Sequence, residues 1–139
     1  MTAAAADSIM GDQVTCYPPT RAGSVLEPMY PDQLAEDFIA RSLVGDSGYN
    51  ASPDPWALNA LPSLLAPEPG GYPLARAAMA VTVLVETARR WHRVGAAALF
   101  PLLRDHPELA IAAGGATLAR LAELPGTDET VLRAVEERT

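Results

Sequence analysis

The sequence predicts an all-α fold of stacked antiparallel helical hairpins behind a flexible N-terminal lead. Apolar residues recur at helical spacing over long stretches, most clearly at residues 73–92. No run alternates between apolar and polar residues over a length that would form a half-buried strand. From residue 72 onward, short turns with Gly or Pro separate successive helical segments, and short connections favour antiparallel neighbours.

The composition limits the class of protein. The chain has 139 residues, of which 49% are hydrophobic, enough for one core without disulfide support. Cys16 is the single cysteine, which excludes an internal disulfide and fits a reducing, cytoplasmic setting. The formal net charge of −7 argues against a nucleic-acid partner, because an acidic surface repels phosphate. The apolar stretches are shorter than the roughly 20 residues that span a membrane, so no membrane association is expected.

The lead is predicted over residues 1–30, which show no sustained apolar period and contain several helix-breaking residues. The helical module then covers residues 31–139. Its first predicted helix spans residues 31–44, begins with acidic residues that suit the helix dipole, and ends at Gly45. Within this helix Asp37 and Arg41 lie four residues apart, which predicts an ion pair.

A loop with an aromatic anchor is predicted next. It covers residues 45–58, and Trp56 is expected to hold it on the core. A short helix follows at about residues 59–66. Asn59 is predicted to cap this helix, and Pro62 is tolerated if it lies in the first turn.

The central helix is predicted over residues 73–92, after a second loop rich in Pro and Gly at residues 67–71. Its apolar face is wide, so neighbouring helices should surround it on most sides. Val85 lies in the middle of that face and is expected to be fully buried. Thr82 and Glu86 lie on the narrower polar face, and Glu86 is expected to face solvent.

The remaining chain is predicted to form a series of shorter helices. Pro101 should kink or split the first of them at Phe100, because proline has no N–H to continue the hydrogen-bond ladder. Thr127 is predicted to cap the last helix, in which Glu129 and Arg133 form an i,i+4 pair. The predicted helices cover residues 94–105, 107–113, 116–124 and 128–138.

The last helix carries an apolar edge formed by Val131, Leu132 and Val135. Because the chain ends there, this edge is expected to lack a partner within the chain. The sequence therefore predicts a continuation into further helices of a longer protein.

No residue pattern predicts catalysis, a metal site or a cofactor. A phosphate-binding loop needs a Lys after its glycines, and the sequence contains no Lys. His92, His106 and Cys16 do not lie at metal-ligand spacing. A basic cluster beside Trp91 is the candidate anion or partner patch, although such a cluster also commonly closes a solvated helix end. The patch consists of Arg89, Arg90 and Arg93.

Three stretches carry a resemblance to a known family. They are EPMYPDQLAEDFIARSLVGDSGY at residues 27–49, PWALNALPSLL at residues 55–65, and residues 75–124. In this order they resemble the helical connector of large actinobacterial signal-transduction ATPases of the STAND type. In that family the connector follows a nucleotide-binding domain and a winged helix, and tetratricopeptide-type repeats come after it. The family's ATP-binding motifs have no matching positions here, so none of its functional residues carries over.

The resemblance implies a non-catalytic interaction or scaffold module that belongs to a larger signalling ATPase. Its expected partner is another protein or the remainder of a longer polypeptide. The alternative is a small ligand-binding regulator in which the Arg89–Arg93 patch and Trp91 line a pocket. An enzyme is the least favoured class, because no catalytic pattern supports it.

Overall fold

The computed structural model describes residues 2–26, 32–65, 74–127 and 129–137, and only the backbone of residues 74 and 75. The chain divides into two compact units, Met1–Ala35 and Glu36–Thr139. Helices dominate the described residues and no strand is present among them, so the predicted all-α class is confirmed. The expected second loop at residues 67–71 lies outside the described residues, as do the expected helix starts at Pro31, Pro73 and Asp128.

The first unit contains helix α1, Ala3–Cys16. The start of α1 is rich in Ala, which has the highest helix propensity. The Thr2 hydroxyl accepts a hydrogen bond from the Ala5 N–H at 3.2 Å and so caps the helix. The prediction of an irregular lead is therefore wrong for this stretch. Propensity and a cap form a helix here without any apolar period, and none of its residues is buried.

Helix α2 covers Asp32–Val44 and ends, as predicted, at Gly45. The φ angle of Gly45 is +70°, a conformation that residues with a Cβ rarely adopt. A Cβ at this position would lie 2.5 Å from the Ala51 carbonyl oxygen and 2.9 Å from Pro53 Cδ. The chain can therefore fold back tightly at Gly45, through a 3-10 turn at Ser47–Tyr49.

Helix α3 covers Ala57–Leu65 and begins two residues before its predicted start. Asn59 therefore lies inside the helix and does not cap it, and Pro62 lies in the helix interior, not in the first turn. The prediction that Trp56 anchors the loop is also wrong, because its side chain is 65% exposed. The first and last residues of α3 are buried instead and hold this segment on the core.

The central helix and the helical segments after it follow in close succession. The segments are α4 (Leu74–Arg90), α5 (His92–Val94), α6 (Phe100–Asp105), α7 (Pro107–Ala113), α8 (Gly115–Ala122) and α9 (Glu129–Glu136). The bounds of α7 are those predicted from the sequence.

Helix α4 lies at the centre of the second unit, where it packs against α5, α7 and α8. Val85 is fully buried, as predicted, and Val81 and Ala88 on the same face are buried with it. Part of the opposite face, at Thr82 and Glu86, contacts α8. The Thr82 hydroxyl lies 3.1 Å from that of Thr117, and Glu86 forms an ion pair with Arg120. The prediction that Glu86 faces solvent is therefore wrong, whereas Arg89 and Arg93, which the sequence also places on the polar face, are exposed.

A π-helical turn, Gly95–Leu99, joins α5 to α6. Its final hydrogen bond runs from the Phe100 N–H to the Gly95 carbonyl. The helix returns to α geometry at Phe100, directly before Pro101, and the backbone stays helical there, so the helix is not split at Phe100 as predicted, and the irregularity lies in the π-helical turn before it. The physical reason is the missing N–H of proline, which prevents a regular ladder from passing this point.

Helix α9 packs against α6 and α7. Val131 and Val135 are buried in this contact, so the prediction that the apolar edge lacks a partner within the chain is wrong. The predicted Glu129–Arg133 ion pair is present, at 3.0 Å. The Thr127 hydroxyl donates to the carbonyls of residues 121 and 124, and it thereby secures the end of α8.

Candidate functional site

The basic cluster at the end of α4 is held by acidic residues of α2. Arg90 Nη1 lies 3.2 Å from Glu36 Oε2, and Arg90 Nη2 lies 3.3 Å from Asp37 Oδ1. The Trp91 Nε1–H donates to the same Asp37 oxygen at 2.9 Å. This arrangement fixes the backbone where α4 ends and α5 begins.

The predicted Asp37–Arg41 pair does not form, because Asp37 is engaged by the end of α4. Arg41 pairs instead with Asp46, at 3.3 Å between Nε and Oδ2. Its guanidinium also lies over the ring of Tyr49, 5.0 Å from the centroid, which is cation–π geometry. The C-terminal turn of α2 is thereby tied to the loop that follows it.

The three arginines of the predicted patch differ in their carboxylate partners. Arg90 is paired with α2, and Arg89 pairs with Glu86 on its own helix at 3.1 Å. Arg93 is exposed, and no carboxylate within the described part of the chain pairs with it. Of the three predicted residues, the structure leaves Arg93 as the candidate for binding an acidic group.

Arg93 lies at a shallow, largely apolar groove of about 440 Å³. One wall comes from Leu43 and Val44 at the end of α2, with Pro53 and Leu58 beside them. The position of Pro53 depends on the tight turn at Gly45, whose missing side chain allows the loop to approach.

A second part of the groove wall comes from Ala96 and Ala97 in the π-helical turn. In an α-helix the Ala96 carbonyl would accept a hydrogen bond from the N–H of Phe100, but that N–H is donated to Gly95. In a π-helix the donor would be residue 101, which is a proline without an N–H. The Ala96 carbonyl has therefore lost both of its regular helical donors.

Sequence reasoning found Arg93 but missed the groove around it. Pro53 and Leu58 come from segments that are distant from Arg93 in the sequence, and no local pattern links them. The π-helical turn did leave a signal: Pro101 follows a run of small residues after Gly95, and such a position cannot continue a regular helix.

The other residues considered for chemistry are dispersed. His92 is exposed at the start of α5, and His106 lies before α7 with its Nδ1 3.4 Å from Glu108 Oε1. Cys16 is exposed at the end of α1. Within the described ranges, no group of His, Cys, Asp and Glu side chains could hold a metal ion. None of the described helices has the length and apolar character to cross a membrane.

The groove combines apolar side chains with one guanidinium group. Arg93 and the two alanines lie three and four residues apart, so they share one face of the helical segment. A comparison of the chain with protein-family models, curated proteins and solved structures gives no match.

Proposed function

We propose that this chain is a non-catalytic helical interaction module, and that it serves as the connector of a larger STAND-type signalling ATPase. The observation that carries the proposal is the exposure of large apolar side chains on the second unit. Phe38, Trp56 and Leu64 are 59%, 65% and 62% exposed, although a continuous core of buried residues lies beneath them. Aromatic side chains of this kind are enriched in protein–protein interfaces.

The resemblance supports the same role. The stretches that carry it include all of α2 and α3, α4 from its second residue onward, and the segments up to α8. The exposed side chains at positions 38, 56 and 64 all belong to these stretches. In the proposed assembly they would contact the neighbouring domain or the repeats, and the protein would be cytoplasmic.

The alternative function, a small ligand-binding regulator that uses the Arg89–Arg93 patch, ranks second. Arg89 and Arg90 already pair with carboxylates of the chain, so a ligand that binds these arginines would have to displace those carboxylates. Arg93 alone remains for this role.

Co-purification with an ATPase tests the proposal. The chain is expressed together with a P-loop ATPase encoded in an adjacent reading frame, and complex formation is measured by size-exclusion chromatography with light scattering. Phe38→Ser and Trp56→Ser should weaken the complex. Ile9→Ser, which removes an equally exposed apolar side chain from α1, should not.

Calorimetry with the isolated chain tests the non-catalytic part of the proposal. ATP should not bind, because the sequence has no phosphate loop or Lys to hold the β and γ phosphates. A micromolar affinity for ATP would contradict the proposal. The absence of a P-loop ATPase gene from the genomic neighbourhood would also contradict it. So would a complex that forms equally well with the Phe38→Ser and Trp56→Ser variants.

A further inference from the structure

We propose that the groove beside Arg93 is a docking site for a short peptide segment in which an acidic side chain adjoins aliphatic ones. This inference rests on the proposed interaction function and specifies where a partner docks and by what chemistry. The peptide carboxylate pairs with Arg93, an aliphatic side chain lies between the two walls, and a backbone N–H donates to the Ala96 carbonyl.

Within the described part of the chain, Arg93 is the one charged residue that lines the groove, and it indicates an acidic partner. The net charge of −7 opposes an acidic partner over the surface as a whole, so the attraction has to come from Arg93 itself, since many of the other guanidinium groups pair with the chain's own carboxylates. Arg93 has no such pair among the described residues, although it lies beside an apolar surface where a carboxylate would be partly shielded from water. The arginines with a carboxylate partner include Arg41, Arg89, Arg90, Arg120 and Arg133.

The Ala96 carbonyl distinguishes a peptide from a simple organic acid. This acceptor lacks both regular helical donors, and its residue lines the groove, so we assign to it an N–H group of the docked peptide. A peptide backbone supplies such a donor beside its side chains, whereas a fatty acid has none. The groove is also shallow, which suits an extended or helical segment lying across the surface.

The walls of the groove suit aliphatic side chains. Leu43 and Val44 are buried in one wall, and Leu58 beside them is partly exposed. A leucine-sized side chain that covers Leu58 would remove apolar surface from water on both partners. The site therefore combines an apolar lining with one charged group, as many peptide-binding grooves do.

The test uses fluorescence polarisation with the full chain and two matched sets of short labelled peptides. One set places glutamate beside leucine at helical and at extended spacings, and the other replaces each glutamate by glutamine. The acidic set should bind roughly fivefold more tightly or better, as expected for a charge pair that is partly desolvated. Arg93→Gln should remove this preference, and Leu58→Ser should weaken binding of both sets.

Arg133→Gln is the matched control, because it removes one exposed arginine that pairs with Glu129 outside the groove. This variant should leave the affinities for both peptide sets unchanged within about twofold, since exposed ion pairs contribute little free energy. The amide signals of Ala96 and Ala97 should shift in the NMR spectrum of the labelled chain when peptide is added. Shifts confined to Trp56 and Leu64 would place the site elsewhere and overturn the inference.

The remaining outcomes also decide the question. Failure of every acidic peptide to bind at millimolar concentration overturns the inference, as does an acidic preference that survives Arg93→Gln. Tighter binding of decanoate than of any peptide, lost in Arg93→Gln, would assign the groove to a small acid. If the complex with the adjacent ATPase forms and Arg93→Gln leaves it intact while no peptide binds, the docking site fails and the proposed function stands. If a peptide binds but no complex with the ATPase forms, the docking site stands and the proposed connector function fails.

Discussion

The indole N–H of Trp91 donates to the carboxylate of Asp37 at 2.9 Å, across 54 positions of sequence. Trp91 is the non-helical residue between α4 and α5, with φ −118° and ψ 80°, and Arg90 beside it contacts the same carboxylate. One acidic residue of α2 therefore anchors the junction from which α5, the π-helical turn and the groove follow. The stability of this junction can be measured directly.

Trp91→Phe should lower the free energy of unfolding by about 0.5–1.5 kcal/mol, because it removes one hydrogen bond and leaves most of the ring volume in place. Trp56→Phe is the control, since Trp56 is mostly exposed and should change stability by less than about 0.5 kcal/mol. Denaturant unfolding followed by circular dichroism gives both values. Equal losses in the two variants would show that the Trp91–Asp37 bond does not hold the junction.

Val85→Asp should destabilise the chain by several kcal/mol, because the new carboxylate would be buried in the centre of the core. Met79→Asp places the same group on an exposed position of the same helix and should cost less than about 1 kcal/mol. Thermal melts compare the two. A similar effect at both positions would mean that α4 is rotated relative to the described packing.

Glu86→Gln should cost up to about 1 kcal/mol, more than a fully solvated position would. The carboxylate is half-buried between Arg89 and Arg120, and both arginines are more exposed than it is, so solvent screens part of the interaction. The Arg120→Gln variant and the double variant complete the cycle. A coupling energy near zero between Glu86 and Arg120 would contradict the contact between α4 and α8.

Gly45→Ala should destabilise the chain by about 1–3 kcal/mol, because the position combines a positive φ with a close approach of the Ala51 carbonyl. Gly115→Ala, at the first position of α8, has open space around the added methyl group and should be neutral or slightly stabilising. Chemical denaturation measures the pair. An unaffected Gly45→Ala variant would show that the loop after α2 does not turn as described, and the Pro53 side of the groove would then be displaced.

Local sequence determined the helical class and several elements. The periodic apolar face that buries Val85 predicted α4, Gly45 correctly marked a helix end, and Pro101 marked a departure from regular helix that takes the form of the π-helical turn before it. These features depend on neighbours within about one helical turn, through propensity, periodicity and the missing groups of glycine and proline. The same reasoning failed for α1, where Ala content and a cap at Thr2 suffice without an apolar period.

Only the tertiary structure decided which polar groups meet. Asp37 had an apparent local partner in Arg41, yet Arg90 and Trp91 engage it, because packing brings α2 to the end of α4. Packing also covers Glu86 with α8, by a contact that spans 34 positions of sequence. The groove likewise joins segments around Leu43, Leu58 and Arg93. Spacing along one helix specifies which side chains share a face, but the partner of that face depends on how distant helices pack.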